Sequence, residues 1–412
     1  MTHELLRVAD QIWNGEVSIA ERHPMSASGE AVEVLPGVAF VPGFSNAIAI
    51  DGGEALVLVD SGGFLNPDQV HSLVRAWSDK PVRYAVFTHG HVDHVFGVGP
   101  FDAEAPVEVV AHENVSRRFD RYRLTAGYNS VINQRQFQVP GLQWPTDYRY
   151  PDVTYRDVYR LDVDGMTFEL NHAKGETDDH TWVWVPGRKV LCCGDLFIWC
   201  SPNAGNPQKA QRYPREWAEA LRTMRELDAE VMLPGHGFPV VGAARVDEAL
   251  DATASYLESI VEQTLALMNE GVALEEVVDR VEPPAELAAK PFLQPIYDEP
   301  EFIVRNVWRL YGGWYDGDPS HLKPAPPGEL AAALAELSGG ARRVADEART
   351  RAESGDLRLA CDLVELAYAA APDDPEVLSA RAAIYEQRAA AEASTMSQGV
   401  YSWVARTSRP GE

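Results

Sequence analysis

Cysteine is scarce in this sequence, long apolar runs are missing, and basic residues are heavily outnumbered. Each shortage closes off a class of function. Four cysteines occur among 412 residues (Cys192, Cys193, Cys200 and Cys361), and none belongs to a CxxC pair. That usage argues against a disulfide framework and predicts reduced thiols packed in a core. No segment approaches the roughly 20 apolar residues that cross a bilayer, so no membrane span is expected. The opening MTHELLRVADQIWNGE has no apolar stretch of signal-peptide length, which makes the cytoplasm the expected compartment. With 36 Lys and Arg against 62 Asp and Glu, the formal charge is −26. A nucleic-acid binder needs a basic face, and an anionic lipid surface would repel this chain. Neither is an expected partner.

Apolar residues make up 45% of the chain and charged residues 24%, values ordinary for folded domains. Residues 32–62 read as short strands broken by Pro-Gly and Gly-Gly turns. ALVLVDSG is a buried strand ending in a polar loop, and a helix follows from Pro67 to Trp77. YAVFTHGHVDH is a second buried strand running into a His-rich loop. Alternating strands and helices indicate a layered α/β domain over 1–242. Within it, 114–160 breaks the rhythm and reads as a long, ordered, aromatic insertion on the substrate side. Apolar spacing of three and four residues predicts a helical extension over 243–322. A Pro-rich linker at 323–329 leads into an Ala-rich helical region, 323–412, with helix caps at Gly355-Asp356 and Pro372-Asp373-Asp374.

The densest chemistry is Thr88-His89-Gly90-His91-Val92-Asp93-His94, directly after a strand. His89, His91, Asp93 and His94 place four ligand-type side chains within six residues. Buried imidazoles and carboxylates need partners, and metal satisfies this density best.

These residues resemble the HxHxDH signature of the metallo-β-lactamase fold superfamily. The resemblance implies an αββα sandwich and two divalent metal ions, and it supplies further positions in order. Asp60 matches an early strand-end Asp that supports the His-rich loop. Asp195 matches a bridging carboxylate, and His236 in LPGHG the final ligand. Where the family has H-x-P-G-H, this chain reads His172-Ala173-Lys174-Gly175-Glu176. Glu176 then occupies the third ligand position, with His180 as the alternative; His172 and His112 read as structural. The implied sets are His89, His91 and Glu176 for one metal and Asp93, His94 and His236 for the other, bridged by Asp195. Zinc is the expected metal, with Mn or Fe made more competitive by the extra oxygen ligand.

A Glu at that position also resembles the alkyl sulfatases of the superfamily. So does the aromatic segment Trp308-Arg309-Leu310-Tyr311-Gly312-Gly313-Trp314-Tyr315-Asp316-Gly317-Asp318-Pro319, which leads into helices similar to their dimerisation domain. The resemblance implies a homodimer through an all-α C-terminal region and a hydrolase acting on a small sulfate ester or related ester. Thioesters, lactones and β-lactams are alternative substrates, and a diiron redox protein is a reading from another class. Three departures from the alkyl sulfatases are visible: Asp195 where they carry a second metal-binding Glu, no recognisable Arg-containing segment after it, and no further domain before residue 412. Two polar stretches are predicted to meet substrate. Asn129, Asn133, Arg135 and Gln136 lie in the insertion; Asn203, Asn206, Gln208, Lys209 and Arg212 follow Asp195. Trp199, Tyr128 and Phe137 are candidates for an apolar wall.

Overall fold

A computed structural model describes residues 3–409; residues 1–2 and 410–412, which the expected domain ranges include, lie outside the described residues. Two compact units divide the chain. One comprises Met1–Ala126 with Trp144–Gly313, the other Gly127–Gln143 with Trp314–Glu412.

The first unit holds a seven-stranded and a six-stranded sheet. In the seven-stranded sheet, Val32–Leu35, Val38–Val41, Ala47–Asp51 and Leu56–Val59 pair antiparallel, and Val82–Val86, Glu108–His112 and Val153–Tyr155 then add in parallel. Leu56–Val59 is buried at every position, as its unbroken apolar run requires of a strand covered on both faces. Its parallel register matches Val59 to Val86. Asp60 and the His-rich loop therefore leave the sheet side by side, at the carboxyl ends where α/β sheets carry their sites.

The six-stranded sheet repeats the device. Val190–Gly194 runs parallel to Val231–Pro234 with Gly194 opposite Pro234, so Asp195 and His236 emerge together. The neighbouring hairpin, Met166–Ala173 with His180–Val185, carries Glu176 in its connecting loop. Helix Asp68–Trp77 covers the first sheet through Val70 and Val74. Helices Pro214–Arg225 and Ala243–Asn269 cover the second. The α/β fold class is as expected.

The stretch 114–160, expected as a long, ordered, aromatic insertion, contains regular structure. It opens as two helices, Glu113–Leu124 and Ala126–Phe137. The first buries Val115, Phe119 and Tyr122 against the seven-stranded sheet; its many arginines hid that apolar stripe. Most of the second belongs to the other compact unit, where Gln138 Nε2 donates to the carbonyl of Gly399 (2.5 Å). That unit is otherwise built from Pro327–Leu337, Ala341–Glu353, Leu357–Ala370, Pro375–Ala391 and Thr395–Thr407. Small buried side chains such as Ala345, Ala348, Ala360, Ala367 and Ala380 form its core. Asp356 and Asp374 cap their helices as expected. The linker ends sooner than predicted, because the helix already starts at Pro327, a favoured first residue. All four cysteines are free thiols.

Candidate metal centre

The site begins with a strained residue. Asp60 has φ 57°, a left-handed conformation that Asp tolerates better than most side chains. It turns a fully buried carboxylate toward the His-rich loop. Oδ1 accepts from the Thr88 amide (2.7 Å), and Oδ2 accepts from Thr88 Oγ1 (2.7 Å) and His94 Nδ1 (2.8 Å). The Thr88 hydroxyl, having given its proton to Asp60, accepts from His89 Nδ1 at 3.0 Å. His236 Nδ1 donates to the carbonyl of Phe44 (2.6 Å). Each contact ties Nδ1 to a partner and turns Nε2 inward, the nitrogen whose lone pair can bind a metal.

Those lone pairs converge. His89, His91, Glu176 and Asp195 each offer a ligand atom, all within 4.8 Å of one another; Asp93, His94 and His236 form a second such group. Asp195 joins the two. Its Oδ1 lies 3.5 Å from His94 Nε2, and its Oδ2 lies 3.3 Å from His236 Nε2 and 3.6 Å from His89 Nε2. Asp93 Oδ2 is 3.4 Å from both His94 Nε2 and His236 Nε2. His91 Nδ1 faces His89 Nε2 at 2.8 Å and Glu176 Oε1 at 3.8 Å.

Metal fits this set. His94 Nε2 and Asp195 Oδ1 are buried without a hydrogen-bond partner, a costly arrangement unless a cation satisfies them. At Gly235 a Cβ would stand 2.1 Å from Asp195 Oδ1, so any side chain there would fill the cradle. Protonation follows the same crowding. Burial opposes charge on His94, yet the carboxylates of Asp195, Asp93 and Asp60 raise it well above the ordinary imidazole range. Burial and the neighbouring His94 hold His89 well below it. Burial raises the Glu176 carboxyl to about 8; Arg212 pulls it down, and Asp195 adds to the rise.

Three supports were not evident in the sequence. Thr88 is the hinge of the Asp60 network, although it stands beside the motif. Asn46 Nδ2 donates to the carbonyls of Pro234 and Gly237 and brackets His236. Asp179, fully buried, accepts through Oδ2 from the Gly90 amide (3.0 Å) and Arg118 Nε (2.9 Å).

The alternative ligand, His180, lies outside both groups. It opens strand His180–Val185, and its Nε2 accepts from the Asp195 amide (3.1 Å). His172 Nδ1 contacts the His180 carbonyl at 2.9 Å, and its ring stacks on His112.

Of the residues predicted to meet substrate, Asn203 and Arg212 are placed on Glu176. Asn203 Nδ2 donates to Glu176 Oε1; Arg212 Nη2 is 3.1 Å from the same oxygen, and Nη1 donates to the Glu176 carbonyl (2.6 Å). Asn206 is buried and accepts from the Gln208 amide. Lys209 stacks over Trp144, with burial and Arg212 lowering it to about 7 against the pull of Asp93 and Glu176. Asn129, Asn133 and Arg135 lie on Ala126–Phe137, within the second compact unit. Asn129 and Asn133 are buried, and Asn133 Nδ2 donates to the Asn129 carbonyl. Tyr128 and Phe137 are exposed there, whereas Trp199 is core, its Nε1 donating to the Phe238 carbonyl.

Comparison with known proteins places this geometry. Residues 40–236 match the family model of the metallo-beta-lactamase superfamily, and residues 273–411 match that of alkyl sulfatase dimerisation. A linear primary-alkylsulfatase of Pseudomonas sp. (strain ATCC 19151) is 29% identical over 79% of this chain and 66% of its own length. An alkyl/aryl-sulfatase of Saccharomyces cerevisiae is 26% identical over 85% of this chain and 59% of its own. The solved structure of a stereoselective inverting sec-alkylsulfatase from Pseudomonas sp. superposes with a TM-score of 0.84 at 25% identity, covering 93% of this chain and 66% of that one. The chain thus spans between 59% and 66% of the length of these relatives. With both ligand groups inside the first match, the chain carries a metallo-β-lactamase superfamily domain followed by an alkyl sulfatase dimerisation domain, the order in which it superposes on an alkylsulfatase.

Proposed function

We propose that this protein is a dinuclear metal-dependent hydrolase that cleaves small sulfate esters. The observation that carries the reading is the convergence of His89, His91, Glu176 and Asp195 with Asp93, His94 and His236, in a fold shared with alkylsulfatases over nearly the whole chain. Two divalent ions bound there would supply a water ionised near neutral pH and a counter-charge for the oxygen that departs. The chain's own residues do the rest. Asp60, Thr88 and the Phe44 carbonyl hold three imidazoles with Nε2 inward. Asp195 spans both groups. Asp93, its side chain 22% exposed, is the carboxylate that opens toward solvent and is placed to take a proton from an incoming water.

Zinc suits the mixed imidazole and carboxylate donors, with Mn or Fe as competitors because of Glu176. Asn129, Asn133, Arg135, Asn203, Asn206 and Arg212 remain our candidates for substrate contact, Asn203 and Arg212 acting on Glu176 as well. The match to a dimerisation family over 273–411 supports a homodimer through the C-terminal helices. Free thiols at all four cysteines suit a reducing cytoplasm.

The test is a substrate panel with the metal-loaded full chain. Sulfate release from a medium-chain alkyl sulfate is expected. Turnover of lactones, thioesters or β-lactams without sulfate release would replace this reading with the second. Visible absorption and stoichiometric iron after aerobic purification would point to redox chemistry instead. Asp93→Ala should abolish turnover; a near-normal rate would remove Asp93 from the mechanism.

A further inference from the structure

Between Asn203 and Arg212 the chain has neither helix nor strand, yet both ends place a donor on one oxygen of Glu176. An irregular segment left to itself would hold these donors loosely. It is fastened at both ends by residues 298–306. Near the Asn203 end, the fully buried Asp298 accepts through Oδ2 from the amides of Gly205 (2.5 Å) and Asn206 (3.2 Å). Gly205 sits so close to the next helix that a Cβ would stand 2.4 Å from a backbone carbon of Phe302. At the Arg212 end, Asn306 is 3% exposed. Its Oδ1 accepts from Gln211 Nε2 (2.8 Å) and the Arg212 amide (3.3 Å), while its Nδ2 donates to the Arg212 carbonyl (3.1 Å).

Both clamps lie inside 273–411, the stretch matched to a dimerisation family, yet they belong to the compact unit that ends at Gly313 and holds the ligands. The geometry points to a second role for this stretch: Asp298 and Asn306 are positioning residues for the metal ligand Glu176, acting through Asn203 and Arg212. This rests on the proposed function in taking Glu176 as a ligand. The effect is on one ligand group. His94 is held by Asp60, and His236 by the Phe44 carbonyl with Asn46 on the flanking carbonyls, none of which touches the clamp.

The experiment is Zn²⁺ titration of the metal-free full chain in competition with a chromophoric chelator. Asn306→Leu should weaken one of two zinc equivalents by about tenfold or more, the scale of lost outer-shell support, and leave the other within about twofold. Val307→Ala, a buried change on the same helix, should lower the melting temperature and move neither equivalent. Asn306→Asp keeps the acceptor and loses the donor, so it should weaken the same equivalent by a smaller factor; it carries the test if the leucine variant does not fold. Unshifted binding in the Asn306 variants, equal weakening of both equivalents, or the same shift from Val307→Ala would overturn the inference. Wild-type stoichiometry reports separately on the proposed function. Fewer than two equivalents there sinks that reading, and this one with it; two equivalents with an indifferent Asn306 sinks only this one.

Discussion

The two ligand groups lie side by side but are held by different means. Asp93, His94 and His236 rest on strand ends: Asp60 at the end of one strand fixes His94, and the Phe44 carbonyl fixes His236. In the other group Glu176 sits in a hairpin loop, and its oxygen is gripped by Asn203 and Arg212 from an irregular segment about thirty residues further along the chain. The first arrangement inherits its precision from the register of a sheet. The second must import it from elsewhere in the unit, and that makes it the adjustable half.

The sharpest way to break this contrast is at Asp60. Asp60→Ala removes the proton acceptor of His94 Nδ1 and should cost up to about a hundredfold in affinity at the Asp93, His94 and His236 equivalent, with a smaller loss at the other equivalent through Thr88 and His89. Competition titration reads it, and equal loss at both equivalents would erase the distinction.

A smaller effect is expected at Asp179, which ties the Gly90 amide to Arg118. Burial works against its charge, but Arg118 dominates and holds the carboxyl down to about 2. A carboxyl whose folded value lies below its ordinary one stabilises the fold above about pH 4 and loses that contribution as pH falls toward 2. Asp179→Asn should therefore cost about 2 kcal/mol at pH 6, with the gap to wild type closing toward pH 2 in urea unfolding. A gap that ignores pH would mean that Asp179 acts by shape alone.

The smallest change is predicted at His180. His180→Gln should leave two metal equivalents in place, because its ring contacts the Asp195 amide and belongs to neither group. Loss of one equivalent on metal analysis would make it a ligand and end the case for Glu176.

Much of the site could be read from the chain because its logic is local. His89 to His94 are contiguous, and Asp60, Asp195 and His236 each follow an apolar strand whose parallel partner delivers them to one edge. Helix Glu113–Leu124 was harder to see, since its arginines break up an apolar stripe of three residues. Asn203 and Arg212 stood out as polar groups near the centre, but their partner is a protein carboxylate that only the fold brings to them. Asp298 and Asn306 carry no signal at all. An Asp before a helix and an Asn within one look ordinary, and their meaning depends on a loop roughly ninety residues earlier.

The ion pair beneath Glu176 also bears on exchanging that ligand. A glutamate in place of histidine adds one negative charge to the inner sphere, and the Arg212 guanidinium at 3.1 Å returns one positive charge. Glu176 and Arg212 together are then equivalent in net charge to a single neutral imidazole, so the net charge that an anionic ester meets is that of a three-histidine site. Converting Glu176 to His alone would strand a buried cation beside the metals. An engineer moving this scaffold toward its histidine-bearing cousins must change both residues together.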